Sequence, residues 1–222
     1  ELLDDAVPDE STILRFRHLL ERHGVSEQIF ALVRDLLEQK RLLLKSGTIV
    51  DATIIDAPPS TKNEAQARDP EMKQGKKNAR EWRFGMKAHV GTDRRGLVHT
   101  LVTTHAGAAD ITQLPQLLHG EERELYGDQA YWSEMHRVAA QAEGVRYRVN
   151  RRPSPGRPLS EHQRRLNRRR SATRARGEHA FRVVKQLWGY SKVRYRGLAK
   201  NTARLFTMFA LANLYLVRRR LR

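Results

Sequence analysis

The hydrophobic pattern of this 222-residue chain predicts two helices, followed by a strand, near its beginning. Residues 9–22 and 27–44 carry apolar side chains at helical spacing, with Gly24 between the two segments and Ser26 as the expected cap of the second. Residues 48–55 are rich in β-branched side chains and are largely apolar on both faces. That pattern predicts a central strand covered on both sides.

The rest of the chain alternates predicted strands and helices after a long polar segment, 56–83, that lacks periodicity and predicts a loop. The further elements are strands over 84–93, 97–106, 124–128 and 145–150, a short helix over 110–120, a helix over 133–144, and long helices over about 160–188 and 200–220. Strands followed by crossover helices predict an α/β fold with a mixed sheet of about five strands.

Composition narrows the class of protein. The chain has no cysteine, which excludes disulfides and thiolate-bound zinc. Hydrophobic residues make up 39% of the chain, as is typical of a globular protein, and no apolar run reaches the length of a bilayer span. No signal-peptide pattern is visible, so we expect a cytoplasmic protein without a membrane partner.

The net charge of +17 is concentrated in the last third of the chain. Residues 146–222 contain 23 Lys and Arg but only two acids, Glu161 and Glu178, so their net charge is +21. The first 145 residues hold 19 bases and 23 acids, for a net charge of −4. A positive field of this size favours a polyanionic partner, nucleic acid above all, over a merely solvated basic surface.

Three acids stand out by their context. Asp51 lies in the middle of the predicted central strand, where a carboxylate loses solvation and needs a partner, a proton or a metal. Asp128 ends a predicted strand, the place where open α/β sheets bind ligands. Glu178 lies on the basic helix, with Arg174 and Lys185 within about 40° of it around the helix axis.

Carboxylates brought together in this way favour a hard cation such as Mg²⁺ or Mn²⁺, and two such ions assist phosphoryl transfer. The alternative is that the Asp residues are structural caps and that Glu178 simply pairs with an arginine of its basic surroundings.

The chain resembles the DDE transposases of the bacterial insertion-sequence-five family, from about residue 8 to its end. The matching segments are "GTIVDATIIDAPPSTKN", "RDPEM", "WRFGMKAHVGTD", "GLVHTLVTTHAGAADITQ", "LLHGEE" and "FRVVKQLWGYSKVRYRGLAKNTARL". The resemblance implies a ribonuclease H-like mixed five-stranded sheet with flanking helices over 47–222, preceded by a small helical segment over 1–46. It also implies that Asp51, Asp128 and Glu178 form a catalytic, metal-binding triad.

Other positions match the family's motifs only in part. Around the Glu, related transposases carry Tyr, Arg, Glu and Lys; Arg174, Glu178 and Lys185 match this spacing, whereas Ser171 replaces the Tyr. After the second Asp the family usually has Ala-Gly-Tyr. In this chain Tyr131 matches the Tyr, whereas Gln129 and Ala130 replace the Ala and the Gly. The predicted DNA contacts are Arg174, Lys185, Tyr131, Arg168, Arg169 and Arg170.

The resemblance implies cleavage and strand transfer of an insertion sequence, with two Mg²⁺ or Mn²⁺ ions. The expected partners are the terminal inverted repeats, target DNA and a second copy of the chain, in the bacterial nucleoid. Family members usually have a longer N-terminal region, so one alternative is a truncated or inactive DNA-binding remnant. Another alternative is a different nuclease on the same fold.

Overall fold

The computed structural model describes residues 7–62, 64, 66–76, 81–154 and 156–221. Over this part of the chain it contains one mixed sheet and seven α-helices. The strands are β1 (Thr48–Asp56), β2 (Lys73–Lys76), β3 (Trp82–Thr92), β4 (Val98–His105), β5 (Glu124–Gly127) and β6 (Arg146–Val149). The helices are α1 (Glu10–Arg22), α2 (Val25–Gln39), α3 (Leu114–Leu117), α4 (Glu134–Ala142), α5 (Glu161–Arg174), α6 (Glu178–Arg182) and α7 (Leu198–Val217).

Strand β1 lies near the middle of the sheet, as its apolar faces predict. It pairs antiparallel with β3 on one side and parallel with β5 on the other, and β6 continues the sheet parallel to β5. The far edge of β3 is shared by β2 and β4, which pair with successive stretches of that strand. The end of β5 is therefore brought beside β1, which lies far from it in sequence.

The sheet has six strands in the described residues rather than the five predicted. The additional strand is β2, within the segment 56–83 that the sequence predicts as a loop. Its sequence, KQGK, has no apolar alternation, and only Gly75 is buried, so no local pattern marks it. Residues 63, 65 and 77–80 of the predicted loop lie outside the described residues.

The predicted helix over 160–188 is interrupted. Helix α5 ends at Arg174 and α6 begins at Glu178, and a π-helical turn, Val183–Leu187, continues α6. Near the beginning of the chain, α2 starts one residue before Ser26, whose side chain is buried rather than capping.

Two apolar clusters lie on opposite faces of the sheet. The larger one joins β1, β3 and β4 to α2, α6 and α7, and the smaller one joins Val50, Leu125 and Val149 to α3 and Tyr131. Helix α7 carries eight buried residues and fills the larger cluster, which confirms its predicted role as a core helix. In the described part of the chain, no helix combines the length and hydropathy that a bilayer crossing requires.

Candidate active site

Asp51 lies at the centre of β1, opposite Val90 of β3. Alternation along the strand places its side chain on the face of the larger cluster, and this side chain is partly buried. Its Oδ1 accepts one hydrogen bond, from the backbone N–H of Ala52, at 3.0 Å. Burial raises the pKa of Asp51 to about 6, with Asp128 and Glu178 adding to the increase and Arg174 opposing it.

Asp128 directly follows β5, the parallel neighbour of β1. Its Oδ1 accepts a hydrogen bond from the N–H of Ala130 at 2.8 Å and caps the short 3₁₀ turn Gln129–Tyr131. The side chain remains 38% exposed, and its other oxygen lies 3.7 Å from Nη1 of Arg174. Asp128 therefore caps a turn and is also an accessible carboxylate. The two interpretations of its position in the sequence, a structural cap and a ligand-binding residue, are compatible.

The break between α5 and α6 explains how Glu178 reaches this site. Gly177 lies against β1 and β3: a Cβ at this position would approach Ile49 Cγ2 at 3.0 Å and Thr92 Oγ1 at 3.2 Å. A larger residue would push the chain away from the sheet, so the glycine allows the close approach. Glu178 then begins α6, with its side chain 59% exposed.

Arg174 connects the three acids. Its Nη2 lies 4.0 Å from Glu178 Oε1, its Nη1 lies 3.7 Å from Asp128, and its charge favours the ionised form of Asp51. Arg174 is itself mostly buried, with 22% of its side chain exposed. The three acids predicted from the sequence and Arg174 therefore lie around one point, at the junction of β1, β5 and α6.

The carboxylates do not form a closed metal cage in this arrangement. Across the described residues, no group of three His, Cys, Asp or Glu side chains is close enough to hold a metal ion. The chemistry of the donors nevertheless fits a hard cation, since all three are carboxylates and burial disfavours the negative charge of Asp51. A cation would relieve the repulsion among these carboxylates, which Arg174 opposes in this arrangement.

Lys185 lies in the π-helical turn and points at the end of β1. Its Nζ donates to Thr53 Oγ1 at 2.9 Å and to the carbonyl of Ile54 at 2.8 Å. It lines a groove of about 270 Å³ together with Asp128. The predicted basic residue is therefore beside the acids, although it reaches them from a separate turn and not from one continuous helical face.

The other predicted DNA contacts differ in accessibility. Arg168 and Arg169 are exposed on α5, whereas Arg170 is half-buried and donates to the carbonyl of Val149 at 2.8 Å. Tyr131 is only 1% exposed, and its hydroxyl is buried without a hydrogen-bond partner among the described residues. Burial, together with three nearby Asp side chains, raises the pKa of Tyr131. Its placement supports a role in packing beneath the site rather than direct contact with DNA.

The groove also contains an ion pair, Lys87–Asp110, that the sequence patterns did not predict. Lys87 of β3 donates to Asp110 Oδ1 at 2.8 Å and to the carbonyl of Ala108 at 2.7 Å, and both charged residues line the groove beside Asp128. Lys87 is 8% exposed. A lysine inside the apolar strand "FGMKAHV" is the same kind of signal as Asp51 in β1: a charged residue within an apolar strand.

The family comparison covers this whole arrangement. A family model described as "Transposase DDE domain" matches residues 43–214, more than three quarters of the chain. The matched range begins before β1 and extends into α7, so it includes Asp51, Asp128, Arg174 and Glu178.

Proposed function

The chain belongs to the transposase DDE domain family, and from this premise we propose that it cleaves and rejoins DNA at Asp51, Asp128 and Glu178. The observation that carries the proposal is the convergence of these three carboxylates on Arg174 from three separate elements. The insertion-sequence-five group is our more specific assignment within the family. The catalytic domain is proposed to span residues 47–222, and 1–46 to be a helical N-terminal segment.

The proposed cofactor is Mg²⁺ or Mn²⁺, as two ions held by Asp51 and Asp128, with Glu178 completing the set. Such ions, when bound, activate water and stabilise the charge that develops on phosphate oxygens. The chain's contribution is to collect oxygen ligands and to leave them accessible: Glu178 is 59% exposed and Asp128 38% exposed. Movement of the exposed Glu178 side chain toward Asp51 is the change that would complete the ligand set.

The basic residues have separate roles in this proposal. Arg174, held between Asp128 and Glu178, is positioned to contact a phosphate once the carboxylates have another counter-charge. Lys185 is fixed on Thr53 and Ile54 at the edge of the groove, where a DNA end would lie. Arg168 and Arg169 are exposed on α5 and add affinity that does not depend on sequence.

The reaction is proposed to follow two phosphoryl transfers. Water attacks a phosphodiester at the element end, a new P–O bond forms, and the bond to the departing 3′-oxygen breaks to release a 3′-hydroxyl. That hydroxyl then attacks a phosphodiester of the target, and the 3′-oxygen of the target strand leaves. The proton lost by each nucleophile is balanced by the one gained by each leaving oxygen. The substrates are therefore double-stranded DNA ends and target DNA, expected in the bacterial nucleoid.

Two ends must be cut and joined together in transposition, so we propose a homodimer assembled on DNA. The second candidate function is DNA binding without catalysis. The specific observation in its favour is that the carboxylates of the described residues are not grouped closely enough to hold a metal ion. A nuclease that cuts but does not join would be distinguished by its products.

The test is cleavage of labelled duplex DNA carrying the element end, with Mg²⁺, Mn²⁺ or EDTA. The variants are Asp51→Ala, Asp128→Ala and Glu178→Ala, and the matched control is Glu161→Ala, which removes the other acid of the basic region. We expect metal-dependent nicking and joined products that the control retains and all three variants lose. Binding without nicking in either metal would instead establish the second candidate, and nicking without joining would indicate a nuclease.

A further inference from the structure

A second basic surface lies beside the acidic site. It is a concave region of about 530 Å³ lined in part by Leu97, Leu216 and Val217, and no acid lines it among the described residues. We name it the arginine cluster, and its arginines are Arg94, Arg95, Arg176, Arg218, Arg219 and Arg220. These residues come from three distant parts of the sequence, so the charge concentration is a product of folding and not of one basic run.

Three of these arginines are held in place without losing their charge. Arg95 donates to the carbonyl of Leu42 at 2.8 Å, Arg176 to that of Arg94 at 3.3 Å, and Arg218 to that of Tyr215 at 2.6 Å. A carbonyl is a neutral acceptor, and each guanidinium has five donors in a fixed plane. The side chains are therefore oriented by neutral groups, and most of their donors stay available.

The acids near the arginine cluster do not neutralise it: Asp93 offsets part of the charge of Arg95, and Glu124 is divided among several arginines. Arg94 lies 3.5 Å from Glu124, but the same carboxylate is 3.1 Å from Arg146 and 3.0 Å from Arg148. One negative charge is thus shared by three positive ones. Six arginines lining one concavity repel one another, and an extended anion is the ligand that relieves this repulsion along its whole length.

The position of the arginine cluster relates it to the acids. Arg176 precedes Glu178 by two residues, and the turn between β3 and β4 packs on it so closely that a Cβ on Gly96 would collide with its carbonyl oxygen. This turn follows Thr92, which pairs with Ile49 at the start of β1. Lys185 contacts the other end of the same strand, at Thr53, about 13 Å further along it. Positive charge therefore lies on both sides of the acids.

We propose that the arginine cluster binds the phosphodiester backbone of duplex DNA on the Glu178 side of the active site. This inference rests on the proposed DNA-cleaving function and extends the DNA path beyond the groove at Lys185. A single free phosphate would engage only one or two of the six guanidiniums, whereas a duplex presents phosphates in register along both strands. Because the contacts are to the backbone, the binding is independent of base sequence.

The first experiment is fluorescence anisotropy with a short duplex of unrelated sequence, in EDTA, between about 50 and 200 mM salt. The variant is Arg219→Gln/Arg220→Gln, because both side chains are exposed and removing their charge leaves the carbonyl-bound arginines in place. The control is Arg15→Gln/Arg22→Gln, which removes two exposed charges from α1. We expect the cluster variant to bind about 10-fold more weakly, with a salt slope smaller by about 2, and the control to match wild type.

A cluster variant that matches the control in affinity and slope would overturn the inference while leaving the proposed function intact. Wild-type protein that binds no DNA would overturn both. Arg176→Gln serves as a second variant, and equal loss for element-end and unrelated duplexes is expected from it. Two further assays of the cluster variant, cleavage of the element end and joining of a pre-cut end, identify which DNA is bound. Loss of end cleavage indicates that the element end lies on the arginine cluster. Loss confined to joining of a pre-cut end indicates target DNA.

Discussion

Two aspartates near the same end of the β1–β3 pairing illustrate different uses of a carboxylate. Asp93, which follows β3, is fully buried, and its oxygens accept from the backbone N–H groups of Arg95, Leu97 and Leu44 at 2.8 to 2.9 Å. Asp51 accepts one backbone hydrogen bond and has two further carboxylates near it. Burial raises the pKa of both.

Asp93 and Asp51 differ in the groups that stabilise the charged carboxylate against the cost of burial. Three N–H donors favour the charged form of Asp93: those of Arg95 and Leu97 belong to the turn that it organises, and that of Leu44 lies before β1. For Asp51 the main opposing influence is one arginine, which is shared with Asp128 and Glu178. A carboxylate whose surroundings leave it only partly compensated is a candidate for function, whereas a saturated one is a structural element.

The sharpest test of this comparison is Asp51→Asn in the cleavage assay. Asn keeps the size of the side chain but removes the negative charge, so we expect cleavage to fall about 10⁴-fold, equivalent to about 5 kcal/mol in activation free energy. Single-turnover rates in Mg²⁺ would measure it, with exposed Asp35→Asn as the control. A rate within tenfold of wild type would place Asp51 among structural residues, beside Asp93.

The second test is the stability of Asp93→Ala. Removing this buried carboxylate leaves three N–H groups, two in the β3–β4 turn and that of Leu44, without their acceptor, at a cost of about 1–3 kcal/mol each when unsatisfied. We expect the free energy of unfolding to fall by about 4 kcal/mol, as measured by urea denaturation. Asp69→Ala is the comparison, since Asp69 is a less buried aspartate that accepts from two backbone N–H groups, those of Glu71 and Gly197. Equal losses would mean that burial of the acceptor contributes little.

Much of this contrast is visible in the sequence, because β1 and the β3–β4 hairpin have strong local patterns. Asp51 interrupts an apolar strand, and Gly177 interrupts a helical pattern. The strand β2 was not predictable, because its polar residues form a strand only by pairing with β3. The Lys87–Asp110 pair joins residues 23 apart through tertiary packing. The burial of Tyr131 likewise depends on the smaller cluster and not on its own motif.

The third test uses the same Asp51→Asn change, now on the stability of the protein in EDTA. The folded-state pKa of Asp51, about 6, is above the ordinary value of 3.8. The folded protein thus binds the extra proton more tightly, and the charged carboxylate destabilises it. This cost is absent below pH 3.8, grows as pH rises and is complete above about pH 6, where it amounts to about 3 kcal/mol.

We therefore expect Asp51→Asn to be more stable than wild type by about 3 kcal/mol at pH 7.5, with the difference shrinking toward pH 4. Urea denaturation across this range measures it. Asp35→Asn should show no such pH-dependent gain. A variant that is less stable than wild type at pH 7.5 would mean that Asp51, like Asp93, is adequately compensated by the fold.

The smallest expected effect comes from the arginine that Asp51 shares with its neighbours. Arg174→Gln should lower the free energy of unfolding by about 1 kcal/mol at pH 7.5 in EDTA, because the guanidinium offsets part of the repulsion among the three carboxylates. Arg168→Gln, an exposed change on the same helix, is the control. In an Asp51→Asn background one of the three charges is absent, so the loss caused by Arg174→Gln should be smaller. A double-mutant cycle in urea measures this coupling. If the two substitutions changed the free energy of unfolding additively, Arg174 would stabilise the junction by packing alone. The acids of the active site would then be electrostatically independent of it, unlike Asp93 and the backbone donors of its turn.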